Sequence, residues 1–268
     1  MVVFEDVKKE DAEKLKSLKF TPLAPKTAYE VIRYQKNGIM VVLYESGKLL
    51  LQGKAEAVDG IAELLERKKI GKLIKPEKFR KETGWVIGTD ESLKGDTFGG
   101  LVVAGVKADD KLRSYLQELG VADSKRLNDK EILVMAEKIK SNVPCEIKSI
   151  LPEEYNHHGK ITAMLNRLHK ECAEYLFPGK HVVDKYPGCT VGDIQTIKAE
   201  SKYIEVAAAS VLARSTALQQ LNYLSAQAGF RIPKGSTHVK FALEVLKERK
   251  MNFRKFVKLD FNNVKEFL

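Results

Sequence analysis

The feature that most constrains this chain is the stretch Trp85 to Val106, in which two apolar runs enclose a short polar turn. The first run ends in adjacent carboxylates, Asp90 and Glu91. Ser92-Leu-Lys-Gly95 makes the turn, and Leu101 to Val106 leads away. Near-continuous apolar runs on either side of a turn predict a β-hairpin buried on both faces, with the acids at its mouth. Carboxylates at the end of a buried strand are costly unless cations or a metal meet them. Partners for Asp90 and Glu91 must therefore come from elsewhere in the chain.

At 268 residues the chain holds one large domain or two ordinary ones, and 44% hydrophobic with 31% charged residues is an ordinary globular balance. No apolar run reaches membrane-spanning length, and the start lacks a secretory leader pattern. The expectation is a cytoplasmic protein without a membrane partner, monomeric by default. Three widely spaced cysteines, Cys145, Cys172 and Cys189, suit a reducing compartment and argue against a disulfide framework or a zinc site. A net charge of +10 favours a polyanionic partner, although excess lysine alone also arises as a solubility or high-temperature bias.

Residues 5–19 carry a weak apolar side (Val7, Leu15, Leu18) that predicts a short amphipathic helix. Residues 28–34, 39–44 and 48–52 then alternate as three strands joined by the turns Lys36-Asn-Gly38 and Glu45-Ser-Gly47, an antiparallel meander. Residues 55–69 follow as a helix. Helix, three strands, helix make a small α+β layer over 1–70. Gly71 to Gly84 is lysine-rich, without periodicity and interrupted by Pro76, which predicts a linker before a second domain over 85–268. There, helices over 110–119, 129–141, 161–177 and 204–228 alternate with strands at 145–151 and 181–184, predicting an α/β mixed sheet flanked by helices.

Three segments place an acid at a structural transition: Asp90 and Glu91 end one strand, Asp184 ends His181-Val-Val-Asp184, and Glu200 precedes the alanine-rich helix. Ligands of mixed α/β sheets collect beyond strand ends. Four carboxylates around one point need counter-charge, and oxygen donors match Mg²⁺ or Mn²⁺. Spacing alone leaves the plainer alternative open, that Asp184 and Glu200 are cap or surface acids. Adjacent strand residues also point to opposite faces, so Asp90 and Glu91 share an ion only if the backbone turns there. His157, His158 and His169 make no metal triad; His169 lies on an apolar helix face, and Cys172 reads as a core residue. For His238, Ser236 or Thr237 as a helix cap is the plainer reading.

Gly88-Thr-Asp-Glu-Ser-Leu-Lys-Gly-Asp-Thr-Phe-Gly99, Ala122-Asp-Ser-Lys-Arg-Leu127, Val182-Val-Asp184 and Lys198-Ala-Glu-Ser-Lys-Tyr-Ile-Glu-Val-Ala-Ala-Ala-Ser-Val-Leu-Ala-Arg214 stand in the order found in type 2 ribonucleases H, which the chain resembles. Glutamate at 200 resembles ribonuclease HIII, where ribonuclease HII has aspartate. Tyr44-Glu-Ser-Gly-Lys-Leu-Leu-Leu-Gln-Gly53 resembles the signature of the TBP-like domain that precedes ribonuclease HIII catalytic domains. The resemblance covers nearly the whole chain. It implies an RNase H-like fold, cleavage of the RNA strand of RNA–DNA hybrids, and dependence on two divalent ions, Mg²⁺ or Mn²⁺, held by Asp90, Glu91, Asp184 and Glu200.

It also implies substrate contacts at Ser92, Leu93, Lys94 and Gly95, the turn that meets the nucleic-acid backbone beside the scissile phosphate, and at Ser124 and Lys125. Lys198 and Arg214 are weaker candidates of the same kind. In the N-terminal part, Tyr29, Tyr34 and Tyr44 with Lys36 and Lys48 suit base stacking and phosphate contact, although tyrosine is also an ordinary strand former. Two departures stand out. Leu93 occupies a position that is commonly glycine in the family, and Phe98-Gly-Gly100 replaces Phe-Gly-Pro, a change expected to matter little. The rival readings are action at single ribonucleotides embedded in duplex DNA, alone or as a dual activity, and a non-catalytic hybrid-binding module.

Overall fold

The computed structural model describes residues 2–73, 82–158 and 160–268, apart from the side chains of Ala55, Asp123, Lys125 and Arg126. The chain divides into two compact units, Met1–Pro76 and Glu77–Leu268. Most of the expected linker, 74–81, lies outside the described residues.

The first unit is a six-stranded antiparallel sheet, β2-β3-β4-β5-β1-β6, built from β1 (Val2–Glu5), β2 (Thr21–Leu23), β3 (Glu30–Lys36), β4 (Ile39–Tyr44), β5 (Leu49–Gln52) and β6 (Lys72–Leu73). The three central strands follow the expected meander; β1, β2 and β6 add to it. The helix expected over 5–19 is shorter: α1 (Lys9–Glu13) runs into a 3-10 segment, Lys14–Leu18, while the residues before it pair as β1 with β5. Four-residue strands such as β1 carry too little alternation to be read locally and are fixed by the neighbour they bond. Helix α2 (Ala55–Arg67) closes the unit, packing Val58, Ala62 and Leu65 into a core that holds Phe4, Ile32, Val41, Leu43, Leu49 and Leu51.

The second unit is a five-stranded mixed sheet of order β11-β10-β7-β8-β9. Strands β7 (Val86–Ser92) and β8 (Leu101–Ala108) form the central antiparallel hairpin, and β9 (Cys145–Ile150) extends it antiparallel to β8. On the other side β10 (Lys180–Asp184) runs parallel to β7, and β11 (Ile194–Thr196) parallel to β10. The helices are α3 (Asp110–Glu118), α4 (Asp129–Asn142), α5 (Pro152–Tyr155), α6 (Ile161–Leu176), α7 (Ala199–Lys202), α8 (Ile204–Ala228), α9 (Lys240–Glu248) and α10 (Asn262–Lys265).

The period of two along β8 sorts its side chains: Val102, Ala104, Val106 and Ala108 pack with α8, whereas Leu101 and Val103 pack on the α6 side with Leu165 and Leu168. Helix α8 is apolar on nearly every side, as befits a helix buried along most of its length. It lies unusually close to β7 because Gly88 has no side chain; a Cβ there would stand 2.3 Å from Val206 N and 2.4 Å from the Glu205 carbonyl carbon. The alanines of the Ala207-Ala-Ala209 run, all buried, keep the same face thin.

Gly100 overturns one expectation. Its Cβ would stand 2.2 Å from Ile150 O, and its N–H donates to Gln220 Oε1 at 2.7 Å. A proline at this position would bring the missing carbons and lose the donor, so glycine here is required by the surrounding backbone. The helix cap expected at Ser236 or Thr237 is absent too, because α9 begins after Val239 with no side-chain cap.

Candidate active site

Asp90 and Glu91 stand inside β7, which continues to Ser92, opposite Ala104 and Val103 of β8. The backbone does not turn at the two acids, as sharing one ion would require; the turn begins at Leu93, and the two side chains leave on opposite faces. Asp90 shares the face of Val86 and Gly88 and is bonded by the Ser210 hydroxyl of α8. Glu91 shares the face of Thr89 and meets His169 of α6, with Oε2 3.4 Å from Nε2.

Burial pushes the Asp90 carboxyl from 3.8 up to about 7, and the neighbouring charges of Glu91 and Glu200 push the same way. Asp184, last residue of β10, is raised by burial and then by Glu200 and Glu91, while the Ala199 N–H donates to its Oδ1 at 3.2 Å. Glu200 stands in the first turn of α7, which Lys198 enters with φ of +56°. Glu91 is the exception. Its burial would raise it, but His169 and Lys94, whose Nζ donates to Oε1 at 3.0 Å, hold it below the ordinary carboxylate range. Asp90 of β7 and Asp184 of β10 thus each feel the charge of Glu91 and of Glu200 from α7. Among the described residues, however, no three His, Cys, Asp or Glu side chains are arranged to ligate a single ion as they stand. The period of two that sends Glu91 away from Asp90 is one cause of that spread.

The donor chemistry fits a hard divalent cation: four carboxylates, with Asp90 and Asp184 raised partly by the other acids, so that bound positive charge would relieve a strain already present. Behind Glu91 runs a buried polar chain that local sequence patterns do not reveal. Thr89 Oγ1 lies 2.7 Å from His169 Nδ1 and 2.8 Å from His181 Nε2. A hydroxyl has one proton, so it donates to one imidazole and accepts from the other. His169 is fully buried and is thus a partner of Glu91 rather than only a packed residue. A cleft of about 870 Å³ reaches His181 from outside, between α6 and the segment 190–193, and none of the four acids lines it.

The turn after β7 places its residues unequally. Leu93 takes φ of +67°, a left-handed conformation that costs a branched side chain about 1–2 kcal/mol. Its side chain is buried against the core shared with α8, so only its backbone can face a ligand. Lys94 lies partly exposed over the Tyr186 ring, 4.9 Å from its centroid, and Gly95 is exposed with open space around it. Ser124 is buried. Arg214 is committed to the segment between a 3-10 turn, Val121–Arg126, and α4: it donates to Leu127 O and Asp129 Oδ1, each at 3.1 Å, and Asp129 also pairs with Lys234. Lys198 is exposed, and the Lys125 side chain lies outside the described residues.

In the first unit, Tyr29, Tyr44 and Lys48 line one open depression of about 540 Å³ together with Val3 and Leu50. Tyr34 does not join them. It alternates with Ile32 onto the inner face of β3 and is 3% exposed, so it belongs to the core. Lys36, on the same face of β3 as Tyr34, donates to Leu18 O at 2.6 Å and covers the Phe20 ring.

A mixed five-stranded sheet with carboxylates toward the ends of neighbouring strands, preceded in the chain by a small strand-rich TBP-like unit, defines the class as an RNase H-like nuclease fold. The ribonuclease HII family model matches residues 87–264. Ribonuclease HIII of Bacillus velezensis is 31% identical, covering 92% of this chain and 89% of its own. The solved structure of Aquifex aeolicus RNase H3 superposes with a TM-score of 0.58 at 30% identity, covering 97% of this chain and all of that one. Bst-RNase HIII solved in complex with Mn²⁺ shares the fold at 24% identity, with a TM-score of 0.63 over 99% of this chain and 97% of its own. The chain belongs to the ribonuclease HII family, in its ribonuclease HIII branch, and is a ribonuclease H hydrolase.

Proposed function

We propose that the chain cleaves the RNA strand of RNA–DNA hybrids endonucleolytically, with Asp90, Glu91, Asp184 and Glu200 holding two divalent ions, Mg²⁺ or Mn²⁺. The observation that carries this reading is that Asp90 and Asp184 are carboxyls raised first by burial and further by the charges of Glu91 and Glu200, in a family of nucleases. When bound, such ions supply the Lewis acidity that activates water and stabilises charge on a leaving oxygen. The chain's own contribution is placement. Ser210 orients Asp90, the Ala199 N–H orients Asp184, and His169 with Lys94 keeps Glu91 ionised. The leaving group is the 3′-oxygen, giving 3′-hydroxyl and 5′-phosphate ends.

The turn Ser92–Gly95 meets the nucleic-acid backbone through main-chain groups and Lys94; Ser124, Lys125 and Lys198 supply further phosphate contacts, and Arg214, whose donors are taken by Leu127 O and Asp129, braces the segment that follows Ser124. Reading of the 2′-hydroxyl and groove shape, not base sequence, gives hybrid specificity. The first unit, with the linker that follows it, adds affinity through Tyr29, Tyr44 and Lys48. Three free cysteines suit a cytoplasmic setting, and among the described residues no helix is long and apolar enough to cross a membrane.

The test uses a continuous RNA–DNA hybrid and a DNA duplex carrying one ribonucleotide, each with Mg²⁺, Mn²⁺ or chelator. Metal-dependent cutting of the hybrid is expected. Cutting only at the single ribonucleotide would replace the substrate assignment, and no cutting of either would reduce the chain to a binding module.

A further inference from the structure

Lys258 lies far along the chain from the acids, in the apolar run Phe256-Val-Lys-Leu259, and its side chain is completely buried. Burying an ammonium costs several kcal/mol, and an apolar residue of similar volume serves stability as well or better. What surrounds its Nζ accounts for its presence. Lys258 donates to Leu93 O at 2.7 Å and to Asp96 O at 2.5 Å, the two ends of the turn that follows β7. The rings of Tyr155 and Phe261 cover it, their centroids 5.3 and 5.1 Å away. Asp96 and Asp260 favour its charge, while burial lowers it to about 8. The ammonium therefore keeps its proton at neutral pH.

The segment carrying Lys258 is itself fixed. Its N–H donates to Thr97 O, Val257 pairs with Phe98, and Asn156 accepts from the Leu259 N–H and donates to Val257 O. A rigid cation thus collects two carbonyls of a turn that contains the left-handed Leu93. In a planar trans peptide the carbonyl and the following N–H point in opposite directions. With Leu93 O drawn inward to Lys258, the Lys94 N–H faces away from the core.

We infer that Lys258 is a positioning residue for substrate: it locks the Leu93–Asp96 turn so that the Lys94 N–H is presented to an acceptor oxygen of the nucleic-acid backbone. Glycine would reach the left-handed turn freely; leucine needs it enforced, and Lys258 enforces it. The inference rests on the reading that this turn meets the hybrid, and the experiment separates the two.

Three proteins are compared with wild type on one labelled RNA–DNA hybrid: Lys258→Met, Lys258→Gln and Gly95→Val. Dissociation constants are read in chelator, and KM and kcat with Mg²⁺, at a temperature where each variant is folded by circular dichroism. Gly95 has nothing within 4 Å of an added Cβ and no left-handed φ, so valine there obstructs a ligand and not the fold. Expected are a tenfold or greater rise in both Kd and KM for Lys258→Met, a kcat changed less than threefold, and a smaller rise for Lys258→Gln, which keeps a donor. The same tenfold loss is expected for Gly95→Val. Should Gly95→Val weaken binding while both Lys258 variants bind as wild type, the Lys258 inference falls and the turn reading stands. Unchanged binding by Gly95→Val would remove the turn reading itself and the inference with it. Should Lys258→Met fail to fold, Lys258→Gln decides alone: wild-type Kd and KM overturn the inference.

Discussion

Replacing Asp90 by asparagine should stabilise the metal-free protein at alkaline pH, and the size of the effect follows from the site. Asp90 is 8% exposed, and burial with the charges of Glu91 and Glu200 raises its carboxyl from 3.8 to about 7. A folded-state pKa above the unfolded one means that the native protein holds this proton more tightly. The ionised group therefore contributes no penalty below about pH 4, a growing one between 4 and 7, and its full penalty above pH 7. At about 1.4 kcal/mol per tenfold change, the full penalty is about 4 kcal/mol. Asparagine keeps the shape and can still accept from Ser210, but carries no charge.

In chelator at pH 8.5, Asp90→Asn should be more stable than wild type by about 2–4 kcal/mol, which for a unit of this size is a rise of roughly 4–16 °C in Tm. At pH 4 the two proteins should melt together. Added Mn²⁺ should stabilise wild type and do little for the variant, because linkage requires a site that binds. Thermal scans by circular dichroism across pH, with and without Mn²⁺, read all of this. A variant no more stable than wild type at pH 8.5 in chelator would refute the claim that Asp90 is a buried, charge-crowded carboxylate awaiting a cation.

Three further outcomes follow from particular contacts. Gly88→Ala places a Cβ against the α8 backbone and should cost about 3 kcal/mol or more; wild-type urea unfolding of the catalytic unit would show that α8 can retreat freely. His169→Phe removes one of the two groups that hold Glu91 low, so the acidic limb of Mn²⁺ binding, followed by calorimetry, should move to higher pH, and an unmoved limb would separate Glu91 from the ion. Tyr29→Ala should weaken hybrid binding severalfold whereas Tyr34→Phe should not, because Tyr29 is 69% exposed and Tyr34 is 3% exposed; equal effects in anisotropy titrations would move the binding surface off the Tyr29–Tyr44–Lys48 depression.

The long periodic elements were legible from the chain alone. The β7–β8 hairpin, the meander of β3 to β5, and α8 over 204–228 each repeat a pattern that local sterics and burial impose within a few residues. Motif order singled out the four acids as candidates, and the +10 charge pointed to a polyanion. What the chain could not show depends on neighbours distant in sequence. Adjacent residues in a strand alternate faces, but only the packing of α6 and α8 decided that Asp90 meets Ser210 while Glu91 meets His169. Tyr34 and Tyr29 have the same chemistry, and the sheet's inner face separated them. Arg214 has the chemistry of a phosphate ligand, but Asp129 and the carbonyls around it claim its donors. Nothing local in the sequence marks Lys258; the fold carries it, 165 residues from Leu93, to the carbonyls of the turn after β7. Sequence sets the local conformational preferences and the inventory of charge. Which charges are desolvated, paired or aimed at one another is set by long-range packing, and that is where the chemistry of this site was decided.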